Sequence, residues 1–72
     1  MEAKKARRLA PDYTSAIVEA LGGTTHVANL LQIDKTAVSH WKRNGMPRAR
    51  LMYLREKYKR ATIMQDPYIK NF

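Results

Sequence analysis

The chain has 72 residues, no cysteine, and 14 lysines and arginines against 6 aspartates and glutamates, a formal charge of +8. A chain this short makes one small domain and buries only about 60% of its unfolded surface, which excludes a deep substrate cavity. Without cysteine there is no disulfide framework, thiol nucleophile or cysteine zinc site, and the charge points to a polyanion: DNA, RNA or an anionic membrane.

The membrane reading fails on the sequence. Uninterrupted apolar runs extend over only a few residues, far below the ~18 needed to span a bilayer. The basic start imitates the n-region of a signal peptide, but Pro11, Asp12 and Thr14 stand where an apolar core should begin. A cytoplasmic protein with no membrane partner is expected.

The charge is unevenly placed. Residues 1–11 carry Lys4, Lys5, Arg7 and Arg8 against Glu2, and residues 12–33 carry only Asp12 and Glu19. Residues 34–60 hold nine cations against Asp34 and Glu56. Residues 1–11 therefore read as a basic, mobile arm, residues 12–60 as the globular domain, and residues 61–72 as a tail.

Four helices follow from the punctuation. The first is predicted over about residues 14–21, with Asp12 or Thr14 as N-cap, Ile17 and Leu21 facing inward beside Ala20, and Gly22-Gly23 as its stop. The second covers about residues 25–31, capped by Thr24, with Val27, Leu30 and Leu31 as its buried face. The third follows Asp34 as N-cap and runs to about Arg43, with Val38 and Trp41 inward and Asn44-Gly45 ending it. Pro47 begins a fourth, where its missing N–H costs nothing; Leu51, Leu54 and Tyr58 line one face.

In the tail, Asp66-Pro67 marks a turn or a helix stop. Ile63, Met64, Tyr68, Ile69 and Phe72 are too apolar for a plain disordered end. They either cover the core or meet a second subunit, and a short strand or a helix fits them equally. The fold class is all-α: a small bundle of four to five helices.

The second and third helices are joined only by Gln32, Ile33 and Asp34. So tight a turn forces a steep crossing, as in a helix-turn-helix, and Ala28 supplies the small side chain needed at closest approach. Val27, Leu31, Ile33, Val38 and Trp41 are the apolar anchors of that crossing. The third helix then exposes Lys35, Thr36, Ser39, His40 and Arg43, a hydrogen-bonding face that fits a major groove and reaches base edges.

The run GGTTHVANLLQIDKTAVSHWKRNGMP (residues 22–47) resembles the helix-turn-helix of the Cro-like repressors of lambdoid phages and related prophage elements. The likeness covers roughly residues 14–58. It rests on Gly22-Gly23, Ala28, Val38 and the stretch AVSHWKRNGMP. One position departs: the family usually has glycine at the turn, where this chain has Gln32. If the left-handed geometry is kept, Gln32 bears strain of about 1 kcal/mol.

The resemblance implies a sequence-specific transcriptional repressor that binds double-stranded operator DNA as a homodimer. Lys35, Thr36, Ser39, His40 and Arg43 would face bases or flanking phosphates. Thr25 would sit against the backbone, where helix N–H groups attract phosphate. Lys42, Arg48 and Arg50 are assigned to backbone contact, and Arg7 and Arg8 to an adjacent minor groove.

Plainer roles compete with these. Trp41 stacks on single-stranded nucleic acid in one reading; its register with Val38 favours a core anchor. His26 reads as a surface residue, and Asp34 as a helix cap and not a general base. Tyr53, Tyr58 and the tail aromatics divide between core and dimer contact. Two histidines and scattered carboxylates give no metal site, and no carboxylate cluster holds Mg²⁺ for a nuclease, so neither a cofactor, a small-molecule substrate nor an enzymatic step is expected. Two alternatives stay open. One is an early-phage activator of the CII kind, although the chain ends soon after its DNA-binding part. The other is an antitoxin or adaptor whose basic face binds an acidic protein.

Overall fold

A proline costs nothing at the first position of a helix, and Pro11 opens the first one here. The structure, a computed structural model, describes residues 8–72. In chain order it forms α1 (Pro11–Ala20), α2 (Thr24–Leu31), α3 (Lys35–Asn44), α4 (Arg48–Lys57), a single-turn 3-10 helix (Thr62–Gln65) and α5 (Pro67–Lys70). The protein is a small all-α bundle. Among the described residues there is no strand, and the only extended pairing is an isolated antiparallel bridge between Arg8 and Pro47. No helix among them is long and apolar enough to cross a membrane.

Leu9, Ile17, Val18, Val27, Val38, Met46, Leu51, Leu54 and Ile69 are completely buried, with Ala28, Trp41 and Met64 nearly so. α3 packs against both α1 and α2. Val27, Val38, Trp41, Leu51 and Leu54 are buried as the helical spacing predicts, whereas Leu30, Leu31 and Tyr58, expected on the same faces, are only half-buried against the core. In α1, Ile17 is buried as expected, but Val18 is its second core residue, Leu21 is half-buried and Ala20 is exposed.

The start of the domain differs from expectation. α1 begins three residues earlier than the spacing predicts, so Asp12 and Thr14 lie inside it and neither caps it. Thr14 is fully buried. Its hydroxyl lies 3.0 Å from the Ala10 carbonyl and 3.3 Å from that of Leu9, and accepts from the Met46 N–H at 3.0 Å. The mobile arm expected over residues 1–11 does not include residues 8–11, which are seated on the domain. Leu9 fills the core, and its N–H donates to the Met46 carbonyl at 2.9 Å. Burying one leucine contributes about 1.5–3 kcal/mol, enough to pin a segment with few other apolar residues. Residues 1–7, including Arg7, lie outside the described residues.

Gly45 makes this docking possible. Its φ is 101°, and a Cβ there would collide with the Leu9 carbonyl oxygen.

The tail is helical. Asp66-Pro67 ends the 3-10 helix, as a helix stop should, and also starts α5: the Asp66 carboxylate accepts from the Tyr68 N–H at 2.9 Å, and Pro67 takes the first position of α5. Met64 and Ile69 enter the core. Tyr68 lies against Tyr13 of α1 with ring centroids 4.4 Å apart, and Phe72 follows at 5.8 Å. The Arg55 guanidinium donates to the Ile69 carbonyl at 3.0 Å, tying α5 to α4.

Candidate nucleic-acid interface

The turn between α2 and α3 decides how α3 is presented. Gln32 ends α2 with φ 58° and ψ 46°, the left-handed conformation. It is the one described non-glycine residue with positive φ. The turn closes through Ile33 N–H to the Ala28 carbonyl at 3.0 Å and Gln32 N–H to that of Asn29 at 3.2 Å. The geometry that glycine would adopt at no cost is therefore kept, with strain of about 1 kcal/mol on Gln32. Ala28 is almost fully buried at the crossing, and Ile33 is half-buried beside it.

α3 is fixed by its apolar side. Val38 is completely buried and Trp41 is 6% exposed, so the tryptophan is a core anchor and not an open stacking platform. Asp34 occupies the N-cap position with extended backbone, but its side chain makes no capping hydrogen bond. At 3.6 residues per turn, Lys35, Ser39, Arg43, Thr36 and His40 spread over about 140° of arc opposite Val38 and Trp41. Lys35, Thr36, His40 and Arg43 are exposed and Ser39 is half-buried.

This face bears no carboxylate. Glu19 pairs with Lys42, Glu56 lies 3.6 Å from Lys59, and Asp66 caps α5. The face offers cationic donors at both ends and hydroxyl and imidazole groups between them. Asn44, one turn after His40, was not singled out by sequence. Its amide nitrogen lies 3.3 Å from both the His40 carbonyl and the ring Nδ1, so it restrains the imidazole. The available signal was the four-residue spacing.

The residues assigned to the DNA backbone are more scattered. Lys42 is turned to the flank: its ammonium is 3.1 Å from the Glu19 carboxylate and donates to the Thr24 hydroxyl at 3.3 Å, linking α3 to α1 and α2. Thr24, expected as the cap of α2, is its first residue; the cap position is Gly23, with no side-chain bond. Thr25 is exposed in that first turn, where backbone N–H groups lack helical partners. The Arg8 guanidinium donates to the Gly45 carbonyl at 2.9 Å, which holds it at the C-terminal end of α3. Arg50 lies over the Trp41 ring, 5.9 Å from its centroid, while Arg48 is exposed and approaches the Phe72 carbonyl at 3.5 Å.

Comparison with known proteins adds nothing to this picture: no family model matches the chain, and no curated protein or solved structure matches it.

Proposed function

We propose that the chain is a sequence-specific transcriptional repressor of the Cro type that binds double-stranded operator DNA. α2 and α3 act as a helix-turn-helix, with α3 in the major groove. Two copies occupy the two half-sites of an operator as a dimer, and repression follows from occlusion of the promoter, with no chemical step. The observation that carries this reading is the α3 face: five hydrogen-bonding side chains and no carboxylate, opposite the anchors Val38 and Trp41, on a chain of charge +8.

Each group has a part. Arg43 and Lys35 offer donors to guanine edges, and Ser39, Thr36 and His40 reach the intervening bases. The amides of the first turn of α2, beside Thr25, meet a phosphate. Arg48, Arg50 and Lys42 contribute sequence-independent attraction, and so does Arg8, held on the Gly45 carbonyl at the end of α3.

Selection from a random duplex pool at near-physiological salt tests the reading. The expected product is a pseudo-palindrome with half-sites about one helical turn apart. A promoter fusion carrying that site should fall in activity when the protein is expressed; a rise would assign an activator. A pool that never converges would leave only non-specific attraction and overturn the proposal.

A further inference from the structure

α4 has two flanks, and only one faces the helix pair. Arg50 reaches Trp41, and Tyr53 lies beside Leu30, Leu31 and Gln32. On the other flank Met52, Arg55 and Glu56 form one stripe at helical spacing, and Lys59 follows in the turn after the helix. Together with Met64 and Lys70 they line a groove of about 380 Å³ between α4 and the C-terminal turns.

The walls of this groove are tied together. Arg55 bonds the Ile69 carbonyl at 3.0 Å, and the Gln65 side chain donates to the Lys59 carbonyl at 2.7 Å. The groove is thus preformed, and a ligand does not have to order it. Its lining includes two methionines, of which Met52 is 45% exposed. Thioethers adapt to apolar side chains of varied shape. The rim is mainly cationic: the Lys70 ammonium has no partner among the described residues, and Lys59 meets Glu56 in an exposed 3.6 Å pair that other carboxylate acceptors can displace.

We infer that this groove docks an acidic peptide segment of a partner protein, its carboxylates on Lys59 and Lys70 and an apolar side chain against Met52. Apolar floor and cationic rim together ask for a ligand with both characters. A phosphate backbone supplies only the charge and leaves the exposed Met52 thioether uncovered. The groove opens on the flank of α4 away from Trp41 and the α2–α3 turn, so the docked peptide and a ligand on α3 are compatible. The inference does not depend on what α3 binds.

The test uses the full chain, isotopically labelled, and a fluorescein-labelled peptide with two leucines between flanking runs of glutamate. A lysine-flanked counterpart is the control. Saturable binding is expected, with amide shifts centred on Met52, Lys59, Met64 and Lys70. Lys59→Glu and Lys70→Glu should each weaken it at least fivefold with unchanged circular dichroism, and Lys35→Glu on α3 should change it less than twofold. Absent binding, shifts centred on α3, or equal affinity for the lysine-flanked peptide would overturn the inference. So would a random duplex that shifts the groove residues and is weakened by the same reversals, which would assign the groove to nucleic acid.

Discussion

The Met46 N–H donates to the hydroxyl of Thr14 at 3.0 Å, joining residues 32 apart in sequence at a fully buried point. This bond, with the Leu9–Met46 pairing beside it, seats the α3–α4 connection on the start of α1. Thr14→Val keeps the shape and removes the acceptor. An unsatisfied buried amide costs about 1–3 kcal/mol, so urea denaturation should report a loss of that size. Thr14→Ser should retain most of the stability. Equal stability of the valine variant would show that the hydroxyl is dispensable.

Two glycines of the same φ separate backbone strain from collision. Gly23 and Gly45 both have φ 101°, but a Cβ on Gly23 meets nothing within 4 Å, whereas on Gly45 it strikes the Leu9 carbonyl. Gly23→Ala should cost about 1–2 kcal/mol from conformation alone. Gly45→Ala should cost at least about 1 kcal/mol more, because residues 8–10 must also shift. Calorimetric midpoints rank the two directly, and the reverse order would contradict the role given to Gly45.

Gln32 offers a test of opposite sign. Glycine there removes left-handed strain of about 1 kcal/mol but adds freedom to the unfolded chain, worth about 0.4–1 kcal/mol. Gln32→Gly should therefore be neutral or slightly stabilising, and Gln32→Val clearly destabilising. A loss above about 1 kcal/mol for the glycine variant would mean that the Gln32 side chain, and not the backbone, holds the turn.

The Glu19–Lys42 pair should contribute little. The two side chains are 65% and 29% exposed. A double-mutant cycle with Glu19→Gln and Lys42→Gln should give a coupling of about 0.2–1 kcal/mol at low salt. It should shrink toward zero at 1 M salt, where screening acts within about 3 Å. Coupling that survives high salt would mark the pair as a true cross-brace of α1 and α3.

Most of the architecture was legible because its signals are local. Gly22-Gly23, Asn44-Gly45 and Pro47 punctuate the chain where the helices break, and spacing alone aligns Val38 with Trp41 opposite the polar face of α3. What escaped depends on distant partners. Leu9 stands among arginines, lysines and alanines with no helical partner in its own segment, and its burial is set by Met46 on another loop. Thr14 resembles a cap until Pro11 starts the helix earlier, and its hydroxyl then serves backbone groups inside the bundle. Lys42 counts as one more cation until the crossing of α1 and α3 brings Glu19 to it. In the tail, Asp66-Pro67 reads as a turn or a helix stop; it does end the 3-10 helix, but it also caps α5, whose four residues are too few to show a helical period and are held by the burial of Ile69.

That α3 reads base edges is tested most directly by comparing Ser39→Ala and His40→Ala with the parent chain on the selected duplex and on a random one at fixed salt. The expected loss is about 1–3 kcal/mol on the selected site, confined to one base position for each variant, with random-duplex affinity unchanged. Equal losses on both duplexes, or none on either, would contradict recognition through α3.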